Sequence, residues 1–148
     1  MTTGEYRTFA SQNELRWGCS RRGNRFAVLT GDPQNRPTVS QTVVGLVPGK
    51  PYYLEFITAD YDDTVANKVN PRRFDIEPTL KGAKVIHEFT YVDDRPQGRY
   101  GRVTAKTNYR YFRFVPSSDT MELTFTGSAK AGEKLLMNYV RVAPYFEE

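Results

Sequence analysis

Cysteine is nearly absent from this chain. Cys19 stands alone among 148 residues, so neither an internal disulfide nor a cysteine-based zinc site can hold the fold together. Histidine is equally scarce: His87 is the only one, and any Cys-His or Ser-His nucleophilic mechanism would have to use it. No apolar run reaches the length of about 18 residues that a membrane-spanning helix needs, and the N-terminus carries no signal-peptide pattern. The basic residues are not concentrated either. The basic residues behind a net charge of +4 are spread along the chain as far as Arg141, whereas nucleic-acid proteins of this size gather their charge on one helix or patch. No nucleic-acid partner and no membrane insertion are expected.

What is present is an aromatic-rich globular composition, with 39% hydrophobic residues, 10 Tyr and 9 Phe. The length suits one domain, 1–148, that can bury roughly two-thirds of its unfolded surface. Apolar and polar residues alternate in seven short runs: 25–30, 38–43, 51–59, 83–90, 109–115, 121–125 and 135–142. Turn signals separate them, among them Thr-Gly-Asp-Pro at 30–33, Pro-Gly at 48–49 and Pro-Ser-Ser-Asp at 116–119. No window carries a long apolar stripe at helical period, so one or two short helical turns at most are expected. The pattern predicts an all-β, antiparallel two-sheet β-sandwich. Because successive strand side chains face opposite ways, Phe112 and Phe114 are expected inside with Tyr111 and Arg113 outside. By the same rule Tyr52, Leu54 and Phe56 face the core, Tyr53, Glu55 and Ile57 face away, and Met121, Leu123 and Phe125 form a third inward set. Long stretches without strand signal, 60–80 and 93–108, are where functional loops are expected.

Several motifs fail on inspection. Gly45-Leu-Val-Pro-Gly49-Lys50-Pro51 has too few residues between its glycines for a phosphate loop, and Pro51 replaces the metal-binding hydroxyl; it reads as a hairpin turn. Asp60-Tyr61-Asp62-Asp63 starts like a calcium loop, but Val65 and Pro71 occupy the positions that need Gly and Glu. An EF-hand is excluded, and the simplest reading is a solvated acidic loop. His87 shares an alternation face with Val85 and Phe89, which points to a buried structural histidine. Glu88 with Asp93 and Asp94 offers a carboxylate pair, yet closeness in sequence fixes no distance between carboxyl groups. No enzyme activity is expected. Arg95-Pro-Gln-Gly-Arg99-Tyr100-Gly-Arg102 could stack on and neutralise an anionic polymer, or be simply a solvated loop.

Three strings in order, Gly23-Asn-Arg-Phe-Ala-Val-Leu, Val39-Ser-Gln-Thr-Val and Gly45-Leu-Val-Pro-Gly-Lys-Pro-Tyr-Tyr-Leu-Glu-Phe, resemble the carbohydrate-binding modules of the galactose-binding-like superfamily. Tyr111-Phe-Arg-Phe114, Met121-Glu-Leu-Thr-Phe125 and Leu136-Met-Asn-Tyr-Val-Arg-Val142 resemble the last strands of that family. The resemblance covers most of the chain from about Gly23 and departs from the family twice. Nothing before Trp17 matches the family's first strand, which is divergent or missing here, and Asn138 stands where relatives carry Asp.

The resemblance implies a jelly-roll sandwich that works as a noncatalytic, lectin-like accessory domain, extracellular or at the cell surface. It would be joined to a catalytic or surface domain of the same parent protein. The partner it implies is a polysaccharide or glycan. At most a structural calcium is implied, with Asp60, Asp62 and the neutral Asn138 as weak ligands. Binding a sugar takes an aromatic plate for its C–H face and polar groups for its hydroxyls. Trp17, Tyr61, Tyr91, Tyr100 and Tyr111 are the candidate plates, with Arg95, Arg99 and Arg113 as polar partners. Gln97 could assist them. Each tyrosine could equally be an ordinary sheet residue, and Trp17 a core plug. The arginines tilt the expected ligand toward acidic or sulfated glycans. The rival expectation is a structural or protein-interaction sandwich of a secreted or surface protein without a saccharide site.

Overall fold

The computed structural model describes residues 2–5, 25–62, 76–93 and 107–146. Nine strands carry the described chain: β1 (Thr2–Glu5), β2 (Arg25–Thr30), β3 (Thr38–Val44), β4 (Tyr52–Asp60), β5 (Glu77–Lys81), β6 (Ala83–Asp93), β7 (Thr107–Pro116), β8 (Thr120–Thr126) and β9 (Lys134–Pro144). They form two antiparallel sheets, one of six strands in the order β1-β2-β9-β4-β7-β6 and one of three in the order β3-β8-β5. The seven alternating runs all became strands, within a few residues of their expected ends. β1 and β5 were not foreseen, for the same reason. Both lie at sheet edges and lack apolar alternation, and β5 carries Pro78, which an edge strand tolerates because its missing N–H leaves no ladder bond broken on the open side.

One local expectation is corrected. The Gly45–Pro51 segment does not close a hairpin, because β3 pairs with β8 in the small sheet while β4 pairs with β7 and β9 in the large one. The turn residues are right for a sharp reversal, Gly45 and Gly49 taking φ of 78° and 79°. However, the segment's backbone bonds to the β7–β8 connection rather than across a hairpin: Leu46 N–H donates to Asp119 C=O at 3.0 Å and Gly49 N–H to Pro116 C=O at 3.0 Å. The segment is therefore a crossing between layers. Alternation on both sides of a turn cannot reveal which sheet each strand joins.

The two sheets meet over one core, with Tyr52, Leu54, Phe56, Phe112 and Phe114 of the large sheet against Met121, Leu123 and Phe125 of the small one. The inward sets are those the alternation predicts. Phe56 sits at their centre, 5.9 Å from the Phe112 ring and 5.0 Å, edge-on, from Phe125. Arg110, opposite Phe56, also points inward. Its guanidinium lies 5.6 Å over Phe56 and 5.3 Å over Phe112, and its Nη1 donates to the Ile76 carbonyl at 3.0 Å, so a buried cation is held by ring faces and a backbone acceptor.

The outer face of the large sheet is divided. Toward β2, Phe26, Val28, Ile57, Ala59, Tyr109 and Leu136 form a second buried cluster. Ile57, expected only to face away from the sandwich, is thereby fully buried, and central strand β4 is covered on both faces over most of its length. Toward β6 the outer face is open, with Phe89 and Tyr91 exposed. That open half carries the candidate site.

Candidate functional site

Register builds the site. In the ladder, Tyr53 of β4 stands between Arg113 of β7 and Ala143 of β9, while Glu55 stands between Tyr111 and Arg141. On the far side of β7, His87 of β6 stands opposite Arg113, Phe89 opposite Tyr111 and Tyr91 opposite Tyr109. Residues directly opposite in an antiparallel ladder share a face. Four strands thus contribute neighbouring rings and charges to one surface.

The rings form a continuous plate. Tyr53 and Tyr111 stack at 5.6 Å with 20° between their planes; Phe89 lies 5.2 Å from Tyr111, and His87 lies 6.2 Å from Phe89. At the Tyr53 end an open cavity of about 460 Å³ is lined by Tyr53, Tyr111, Arg141 and, just after β9, Tyr145 and Phe146. One guanidinium, that of Arg141, is on its wall, 5.7 Å over the Tyr53 ring; the other, that of Arg113, stands beside Tyr53 in the ladder and packs 4.5 Å over the Tyr145 ring that lines the cavity.

Beneath the plate sits a buried carboxylate. Glu55 accepts a short hydrogen bond from the Tyr109 hydroxyl and pairs with Arg141 Nη1 at 3.6 Å. Burial, and then Glu55, push the Tyr109 hydroxyl well above the usual tyrosine range, so it stays a donor. Tyr111 is also raised, first by burial. Arg141 is held above the ordinary arginine value by the Tyr53 phenol first and, against the cost of burial, by Glu55. Tyr111 is thereby kept a neutral phenol and Arg141 a cation at physiological pH.

Of the residues singled out in the sequence, Tyr111 and Arg113 are in this plate, and Tyr91 is exposed on the same face opposite Tyr109. Tyr61 is not in the plate: it is half-buried against the second cluster, with the Lys134 ammonium 5.5 Å over its ring. Trp17, Arg95, Gln97, Arg99 and Tyr100 lie outside the described residues, as do Cys19 and Asp94. The calcium candidates do not converge. Asp60 is buried opposite Leu135, Asp62 is exposed, and Asn138 stands opposite Ile57, three positions along the ladder from Asp60, its Oδ1 taken by the Tyr139 N–H at 2.6 Å. Among the described residues no group of three or more His, Cys, Asp and Glu could hold a metal ion.

His87 is a correction. It is exposed rather than buried, because it lies on edge strand β6, where Val85 and Glu88 on the inner face are exposed too; a bulge at Ile86 shifts the register between Val85 and His87, so the imidazole shares the outer face with Phe89 and not with Val85. The same shift places Glu88 opposite Phe112, on the other face from His87, so these two do not form one constellation. Sequence reasoning missed Tyr53, Arg141 and Tyr145 as site residues. Alternation did put Tyr53 on the outer face; the neighbourhood of β9, β4 and β7 that gathers them is set by strand order.

No protein-family model matches the chain, and no curated protein or solved structure is significantly similar to it.

Proposed function

We propose that the chain is a noncatalytic carbohydrate-binding module that takes a polysaccharide or glycan on the open outer face of its large sheet. The stacked Tyr53 and Tyr111 rings at an open cavity, with Arg141 on its wall and Arg113 packed on its Tyr145, carry this reading. Flat phenol faces suit the apolar C–H side of a sugar ring, and fixed N–H forks suit its oxygen atoms. The strand order supports a jelly roll of the galactose-binding-like kind: β1 aside, five strands face three, and the chain changes layer at every connection except the one between β6 and β7. In this reading the domain is exported, displays the plate to an extended glycan, and serves a catalytic or surface domain of the same parent protein.

A glycan array probed with the full chain, followed by calorimetry on the strongest hit, tests the reading. Tyr111→Ala is expected to weaken binding at least ~10-fold, as loss of a central ring does at other recognition surfaces. Absence of any retained glycan, or unchanged affinity in both Tyr53→Ala and Tyr111→Ala, would contradict it.

One observation favours a second reading, a protein-interaction sandwich. Edge strand β6 exposes Val85 (40%), Ile86 (46%) and Phe89 (46%), Val85 opposite the inward-facing Phe114 and Phe89 opposite the outward-facing Tyr111, so apolar side chains flank both faces of an edge that pairs with no further strand among the described residues. In that case Ile86→Lys, and not Tyr111→Ala, would abolish partner capture.

A further inference from the structure

We infer that the glycan taken by this face is anionic, its carboxylate or sulfate group seated between Arg113 and Arg141 at the Tyr53 end of the cavity. The inference rests on the reading of the face as a saccharide site and adds the ligand's charge. It begins from an imbalance. Among the described outer-face side chains Glu55 is the only carboxylate, and it is engaged with Arg141 and the Tyr109 hydroxyl. Arg113 has no carboxylate partner among the described residues; its guanidinium rests on Tyr145, and its Nε is buried without a hydrogen bond. One positive charge, packed on the Tyr145 ring that lines the cavity, is therefore uncompensated among the described residues.

A ligand laid across Tyr53 and Tyr111 would cover that charge. Covering a guanidinium with a neutral sugar removes its water and returns only hydroxyl contacts, whereas covering it with an oxyanion supplies the missing counter-charge and acceptors for the planar fork. The Tyr145 ring under Arg113 and the Glu55 carboxylate beside Arg141 restrain both forks, so little side-chain freedom is lost when the anion docks. Carboxylate and sulfate esters share this chemistry, and the arms of the test separate them.

The full chain is titrated by calorimetry with polygalacturonate, heparin and a neutral xylan, at low and at high salt. One of the two anionic polymers is expected to bind at least ~10-fold tighter than xylan, the winner naming the group, and its affinity should fall with salt. Arg113→Gln should remove most of that preference, with Arg113→Lys intermediate because it keeps the charge but not the fork. Lys130→Gln removes the same charge from an exposed turn and should change nothing. Equal or tighter binding of xylan would overturn the inference and leave the carbohydrate reading standing. So would a loss in Lys130→Gln matching that in Arg113→Gln, since it would reduce the effect to general attraction. Failure of all three polymers to bind would overturn the inference, and together with an empty glycan array it would overturn the carbohydrate reading as well.

Discussion

At the scale of single residues, Glu55 is the joint between the packed and the open halves of the outer face. Its side chain is only 11% exposed, and the Tyr109 hydroxyl is its buried partner. Removing that donor in Tyr109→Phe leaves a carboxylate short of a hydrogen bond and should cost about 1.5–3 kcal/mol at neutral pH, read from urea melts. The pH dependence has a definite sign. A hydroxyl whose proton is held more tightly in the folded chain than in the unfolded one contributes stability that is complete below the unfolded value, about pH 10. It is lost as pH rises from there toward the raised folded value. Stability set by Tyr109 should therefore be level from neutral pH to about pH 10 and decline above, with a shallower decline in Tyr109→Phe; equal slopes in both proteins would contradict this. On the inner face, Phe56 touches rings of both sheets and is fully buried. Phe56→Ala should cost about 3–5 kcal/mol in the same melts. The inward placing of Phe56, Phe112 and Phe125 was legible from alternation alone, because period two assigns faces without knowing neighbours. The burial of Ile57 was not, since a second cluster on the outer face is a matter of which strands flank β4.

At the scale of elements, the crossings between layers hold the sandwich as firmly as the ladders do. Gly31, after β2, packs against the β8–β9 connection: its N–H donates to Glu133 C=O at 2.7 Å and its carbonyl accepts from Gly132 N–H at 3.0 Å. A Cβ at Gly31 would stand 2.1 Å from the Lys130 carbonyl oxygen, a backbone atom that cannot swing aside. Gly31→Ala should force the two crossings apart and lower the melting temperature by about 5 °C or more, the shift expected for roughly 2 kcal/mol in a chain of this size. A melting temperature unchanged by that substitution would show that the clamp is loose. These crossings are also where sequence reading gave out. Gly and Pro mark a reversal, but the destination of the next strand depends on contacts far along the chain, which is why the 45–51 turn was expected to close a hairpin. The bulge at Ile86 is a similar case: one extra residue in β6 keeps the apolar run intact and turns His87 outward.

In the molecule as a whole, a two-layer fold carries a recognition face made by four neighbouring strands and the segment after β9. The sequence announced Tyr111 and Arg113 as outward-facing, and Tyr53 with Glu55 likewise, from two separate runs of alternation. That these runs lie side by side, with Arg141 on the third strand, follows from the order β9-β4-β7-β6. In the proposed function this plate, and not the small sheet, meets the ligand. Backbone amide shifts followed by NMR, while the tightest-binding glycan is titrated into the full chain, test it most directly. The moving amides are expected to cluster at Tyr53, Tyr111, Arg113, Arg141 and Tyr145 while those of β3, β8 and β5 stay still; shifts confined to the small sheet, with the plate unmoved, would show that the ligand binds elsewhere.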